Sequence, residues 1–142
     1  MIYTLDTNVV VDALRQPHEL DRLKGFLSWA LPSTVLSSVV AAELAAGART
    51  DRARRVLDEA VLAPFDRRGR IIAPSVASWR RTGAVLARAG TSGLTANRQN
   101  DVLLATQARE RGWIVITRDH DLHALRPSIN GLQVAAPYPE RR

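Results

Sequence analysis

The 142-residue sequence contains no cysteine, one methionine, few aromatic residues (5%) and a single lysine, Lys24. Without cysteine there are no disulfide frameworks, thiolate zinc sites, thiol nucleophiles or iron-sulfur clusters, so any metal must be held by oxygen or histidine. No apolar run approaches the ~20 residues that cross a bilayer. The most apolar stretch, residues 35–46, is broken by Ser37, Ser38 and Glu43. The start, Met1-Ile2-Tyr3-Thr4-Leu5-Asp6, lacks the basic-then-apolar pattern of a signal peptide, and a cytoplasmic location is expected. What is present is ordinary for a soluble globular domain: 46% hydrophobic and 24% charged residues. The length suits one domain over residues 1–142, able to bury about two-thirds of its unfolded surface. The charge balance is basic, with 20 Lys+Arg against 14 Asp+Glu and a net charge of +6, and every cation except Lys24 is arginine. Guanidinium meets phosphate or carboxylate in a two-point fork, so a polyanionic partner is expected beside the simpler reading of a solvated basic surface.

Short apolar runs alternate with helical patterns along the chain. Ile2–Leu5 reads as a buried strand, followed by a helix capped by Thr7-Asn8 that carries Val9, Val10, Ala13 and Leu14 up to Pro17. A second helix fits residues 19–31, with Pro32 stopping it, then a strand over 34–39 and a short helix over 40–46 ended by Gly47. Residues 51–62 form an amphipathic helix with Ala53, Val56, Leu57, Ala60 and Val61 inward and Arg52, Arg54 and Arg55 outward. Residues 64–74 read as a loop in which Ile71-Ile72 suits a short strand and Arg67-Arg68-Gly69-Arg70 a turn. Helices over 76–89 and 96–111 flank the flexible Gly90-Thr91-Ser92-Gly93, and they are followed by a strand over 113–117, a helix over 119–125 and a strand over 132–135. Trp29, Trp79 and Trp113 occupy positions that look inward, as core side chains. Strands separated by helices predict an α/β domain with a parallel sheet, whose chemistry sits at the carboxyl ends of the strands.

Acids fall at that edge. Asp6 follows the first strand, Glu43 lies in the helix after the second, Asp101 lies near the start of a helix, and Asp119 and Asp121 follow the strand ending at Thr117. Any one of them is explained by helix capping or by the helix dipole. Glu43 and Asp101, however, sit among apolar neighbours, in Val39-Val40-Ala41-Ala42-Glu43-Leu44 and Asp101-Val102-Leu103-Leu104-Ala105. Four carboxylates gathered within ~5 Å would repel by about 3 kcal/mol per pair at an effective dielectric near 20, so the cluster must bind cations, take up protons or splay apart. Oxygen-only ligands favour Mg²⁺, with Mn²⁺ as substitute. Carboxylate-held Mg²⁺ suits phosphodiester hydrolysis by an activated water. Thr7, Asn8 and Thr117 stand beside the acids as supporting polar groups, while His120 and His123 read as surface residues.

Leu5-Asp6-Thr7-Asn8-Val9, Glu43-Leu44 with Gly47, Asn100-Asp101 followed by Leu104-Ala105, and Thr117-Arg118-Asp119-His120-Asp121 occur in an order and at a chain length that resemble the PIN-domain ribonucleases. Within that family the chain is most similar to the VapC toxins of bacterial toxin-antitoxin pairs. The resemblance covers essentially the whole chain and implies a PIN-like fold, a twisted parallel sheet between helices. It also implies a Mg²⁺ site, and catalysis, from Asp6, Glu43, Asp101 and Asp119, with Asp121 as the alternative fourth acid. The activity it implies is endoribonuclease cleavage of structured RNA such as transfer or ribosomal RNA. The partners it implies are a VapB-type antitoxin and a second copy of the chain in a homodimer. Leu122 stands where the family often has an aromatic residue, which bears on helix packing and touches no proposed ligand.

Arg49, Arg52, Arg54 and Arg55, with Arg67, Arg68 and Arg70 in the following loop, then become candidates for RNA phosphate contact, or for an acidic antitoxin segment. Two other readings compete. An Asp after the first strand also opens haloacid-dehalogenase-type phosphatases, but these need a second Asp two residues on, where this chain has Asn8. A non-catalytic RNA-binding or interaction module of PIN-like fold would have lost an acid, and here the set is complete.

Overall fold

The computed structural model describes residues 1–89 and 96–142. Five parallel strands form one sheet in the order β3-β2-β1-β4-β5: β1 (Ile2–Leu5), β2 (Thr34–Ser37), β3 (Ile71–Ile72), β4 (Trp113–Ile116) and β5 (Gln133–Ala135). Helices α1 (Thr7–Arg15), α2 (Pro17–Ala30), α3 (Ser38–Gly47), α4 (Asp51–Val56), α5 (Ala63–Asp66), α6 (Val76–Ala89), α7 (Ala96–Arg111) and α8 (His120–Ala124) make the connections. The domain is α/β, as the alternation of patterns predicts. Leu5, Leu36, Leu104, Ile116 and Leu122 are among its fully buried side chains.

The chain winds from β1 through β2 to β3 on one side, then returns to add β4 and β5 on the other. The order therefore reverses between β1 and β4, which pair directly from Ile2↔Trp113 to Leu5↔Ile116. In open parallel sheets the crevice outside the strand carboxyl ends at such a reversal is where ligands bind. Asp6 and Thr117 lie immediately beyond these two strands, and the Asp6 N–H donates to the Ile116 carbonyl at 2.9 Å.

Several element ends differ from the sequence reading. The cap of α1 is Asp6, which accepts the Thr7 N–H at 2.8 Å, so Thr7 and Asn8 lie inside the helix with their side chains free for other partners. Helix α2 starts at Pro17, not residue 19, because the fixed φ of proline suits a first helical turn, and Leu31–Ser33 tightens into a 3-10 turn after it. Strand β2 ends at Ser37, whose hydroxyl accepts the Val39 N–H and starts α3 two residues earlier than expected.

The helix beginning at Asp51 does not stop at residue 62. Its middle, Leu57–Leu62, is π-helical, and it runs on through α5 to Asp66. Leu57 and Phe65 are buried while Val56 and Ala60, expected inward, are exposed; Val56 lies before the π turn, on the solvent side of the α-helical segment, and the wider turn shifts the side chains after it, Ala60 among them, off the 3.6-residue period. Ile71–Ile72 does form a strand, pairing with Leu36 and Ser37. Trp29 packs against the core and Trp113 is buried, but Trp79 is 49% exposed. The inward face of α6 is instead made by Ser78, Thr82 and Val85, and the Thr82 hydroxyl meets Thr106 of α7 at 2.8 Å. The Gly90–Gly93 segment lies outside the described residues.

Candidate metal centre

The site is assembled by elements that the core fixes in place. Asp6 is 5% exposed, and both its carboxylate oxygens are hydrogen-bonded: Oδ1 accepts the Thr7 N–H, and Oδ2 accepts Asn8 Nδ2 at 3.1 Å and the Thr117 hydroxyl at 2.8 Å. Burial pushes its pKa up, with the Asp119 charge adding to the rise, against the lowering effect of hydrogen bonds from Thr117, Thr7 and Asn8. Thr117 is the hub. Its hydroxyl also accepts Asn8 Nδ2 at 3.1 Å and the Asp119 N–H at 2.9 Å, tying β1, α1 and the turn after β4 together.

Glu43 projects from α3, half-buried, and accepts the Thr7 hydroxyl at 3.1 Å. Burial raises its pKa, opposed by the Thr7 bond and assisted by the Asp6 charge. Asp101 lies in the N-terminal half of α7. That helix is anchored to the sheet by Gln107, which accepts the buried Ser37 hydroxyl at 2.5 Å and donates to the Ile72 carbonyl at 3.0 Å. Asp119 caps α8 by accepting the Asp121 N–H at 2.9 Å.

Asp101, Asp119 and Asp121 each offer a carboxylate oxygen, and these atoms lie within 4.8 Å of one another. The Asp101 pKa is pushed up to about 7, first by burial and then by the charges of Asp6, Asp119, Glu43 and Asp121. All five acids thus share one electrostatic field, with Asp101 feeling the other four. This donor set is hard, oxygen-only and short of positive charge, so it fits a divalent cation such as Mg²⁺ or Mn²⁺. Asp119 and Asp121, which the sequence reading treated as alternatives, both stand beside Asp101. His120 is exposed and His123 half-buried.

The arginines divide. Arg49, Arg52, Arg55 and Arg67 are exposed; Arg54 is exposed but paired with Asp51 at 3.0 Å; and Arg68 donates to the Pro64 carbonyl at 2.8 Å. Arg70 is partly buried and donates to the Leu31 carbonyl at 2.5 Å, which gives it a role in joining the β3 approach to the end of α2. Arg118, between Thr117 and Asp119, carries no sequence signal of a role at the site. It is paired with Asp12 on α1 and Glu19 on α2.

Residues 3–126 match the PIN domain family, and the chain belongs to it. Its members are generally nucleases and usually use a divalent metal. No curated protein sequence matches the chain. Among solved structures, the fold is similar to that of FitAB bound to an IR36 DNA fragment, with a TM-score of 0.70 and 22% identity over 99% of both chains. It is also similar to VapBC2 from Rickettsia felis bound to a promoter DNA fragment, with a TM-score of 0.66 and 24% identity over 96% of this chain and 98% of that one. DNA-bound VapBC from Salmonella typhimurium gives a TM-score of 0.67 and 23% identity over 97% and 99%. No helix among the described residues is long and apolar enough to cross a membrane.

Proposed function

We propose that the chain is a single PIN domain over residues 1–142 that acts as a Mg²⁺-dependent endoribonuclease, the toxin of a VapBC-type toxin-antitoxin pair. The observation that supports the catalytic reading is the approach of Asp101, Asp119 and Asp121, whose carboxylate oxygens lie within 4.8 Å of one another beside the β1/β4 reversal, with the charges of Asp6 and Glu43 also acting on Asp101. Asp101, Asp119 and Asp121 would hold the cation together with Asp6 and Glu43, whose charges act on the same site. Bound Mg²⁺, or Mn²⁺ in its place, would supply acidification of a water and neutralisation of charge on the phosphoryl group.

The protein's own groups do the rest. Thr117, Asn8 and the Thr7 N–H fix the Asp6 carboxylate in one orientation, and the Thr7 hydroxyl does the same for Glu43. A carboxylate held by several donors loses little freedom when it engages a ligand, which is the advantage of a rigid support. Exposed Arg49, Arg52, Arg55 and Arg67 offer contacts to RNA phosphates, with Arg54 and Arg68 able to join them. The basic body around an acidic cleft suits a polyanion drawn in by its backbone and bridged to the carboxylates by a cation.

The likeness to VapBC and FitAB structures supports the toxin role and a VapB-type antitoxin partner; a homodimer and a cytoplasmic location belong to the same proposal. The test has two arms. Purified chain should cut transfer or ribosomal RNA in Mg²⁺ and stop in EDTA. Induced expression should arrest growth, and co-expression of a small partner encoded beside it should relieve the arrest. Harmless expression of a folded chain, with no cleavage in Mg²⁺ or Mn²⁺, refutes the reading.

A further inference from the structure

Arg118 occupies the middle of the turn that carries two of the clustered carboxylates, yet its guanidinium does not join them. Its Nε lies 2.9 Å from Asp12 Oδ2 on α1, and its terminal nitrogen pairs with Glu19 on α2. The Glu19 side chain is only 13% exposed and also accepts Arg22 Nη1 at 3.2 Å. Arg22 in turn donates to the Pro137 carbonyl at 3.0 Å and lies over the Tyr138 ring at 5.3 Å. The Arg118 backbone N–H donates to Asn8 Oδ1 at 3.2 Å, so both backbone and side chain of this residue are tied to the first two helices.

This arrangement solves a problem set by the sequence. A cation one residue from Asp119 and three from Asp121 is attracted by the same field that would draw a metal, and an untied guanidinium would settle over those carboxylates. Asp12 and Glu19 supply a competing pair of acceptors, partly desolvated and matched to the guanidinium fork. The side chain is thereby kept out of the cleft, and the turn between β4 and α8 is fastened to α1 and α2.

We propose that Arg118 is a positioning residue: held by Asp12 and Glu19, it fixes the turn that sets Asp119 and Asp121 against Asp101, and so sets the affinity of the site for its divalent cation. The inference rests on the metal-centre reading above. The experiment is Mn²⁺ binding to the intact purified chain, measured by calorimetry, with thermal unfolding in EDTA recorded alongside. Arg118→Ala weakens binding about tenfold, the scale on which outer-shell supports act. Arg118→Lys recovers part of it, because an ammonium keeps the charge but not the fork. Arg109→Ala, which removes a hydrogen bond to the Asn130 carbonyl at the far end of α7, leaves Mn²⁺ affinity unchanged whatever it does to Tm. If Arg118→Ala does not fold, Glu19→Gln loosens the same tie and is expected to weaken binding several-fold. Mn²⁺ affinity in the Arg118 or Glu19 variants within about twofold of wild type, or an equal loss in Arg109→Ala, overturns the inference. A wild-type chain that binds no Mn²⁺ overturns the metal-centre reading with it, whereas equal tight binding by wild type and Arg118→Ala overturns this inference alone.

Discussion

If Asp101 is held against four other acids, neutralising it should stabilise the metal-free protein, an unusual outcome for a substitution in a buried cleft. The raised pKa means that the native state keeps the Asp101 proton up to about pH 7, while the unfolded chain gives it up near 3.8. Between those values the native state binds more protons than the unfolded one, so the Asp101 contribution to stability falls as pH rises. Moving a carboxyl from 3.8 to about 7 corresponds to roughly 4 kcal/mol. Asp101 is only half-buried, and solvent screening removes about half of that, leaving ~2 kcal/mol of destabilisation in the metal-free protein above neutrality. Asp101→Asn keeps the shape and removes the charge. In EDTA at about pH 8 it should unfold about 4–8 °C above wild type, and the gain should shrink toward zero by about pH 4.5. Denaturant unfolding across that pH range measures it. Added Mg²⁺ should close or reverse the gap, because the wild type binds the ion and the variant binds it less. A variant less stable than wild type at pH 8, or a gain that does not change with pH, refutes the reasoning and makes Asp101 a structural helix-end acid.

Other consequences can be measured separately. Ser37→Ala removes both the cap of α3 and the buried bond to Gln107; it should cost about 1–3 kcal/mol in denaturant unfolding and weaken RNA cleavage through the displaced α7, and an unchanged midpoint refutes that coupling. Arg52→Ala and Arg55→Ala should weaken RNA binding and lower the slope of log affinity against log salt by about one for each phosphate no longer neutralised. Arg70→Ala should lower Tm and leave that slope alone, since its guanidinium holds the Leu31 carbonyl.

Much of the site was legible because a parallel sheet sorts residues by position: whatever follows a strand reaches the same edge. Asp6, Asp119 and Asp121 were placed that way, and Glu43 and Asp101 stood out as acids inside apolar stretches. Asp6 also shows why a capping reading and a site reading are not exclusive. One oxygen caps α1, while the other takes bonds from Asn8 and Thr117. A π turn changes the period within the helix from Asp51, so a single 3.6-residue phase does not describe it beyond Leu57, and no residue in Leu57–Leu62 announces the change. The size of Trp79 predicts burial, whereas the close approach of α6 and α7 is made by the small hydroxyl residues Ser78, Thr82 and Thr106, and the indole stays on the outside. The ties from Arg118 to Asp12 and Glu19 join residues about a hundred positions apart, a pairing that only the β1/β4 adjacency creates.

The proposed function requires these carboxylates to act on RNA through a bound cation. Its most direct measurement is the initial rate of cleavage of a structured RNA against Mg²⁺ concentration, for wild type and for Asp6→Asn, which retains an acceptor oxygen to cap α1. The wild-type rate should rise from zero with Mg²⁺ and saturate. The Asp6→Asn rate should stay lower by about a hundredfold or more, beyond what loss of an outer support alone would give. Equal rates in the two proteins, or cleavage that persists in EDTA, would contradict the account.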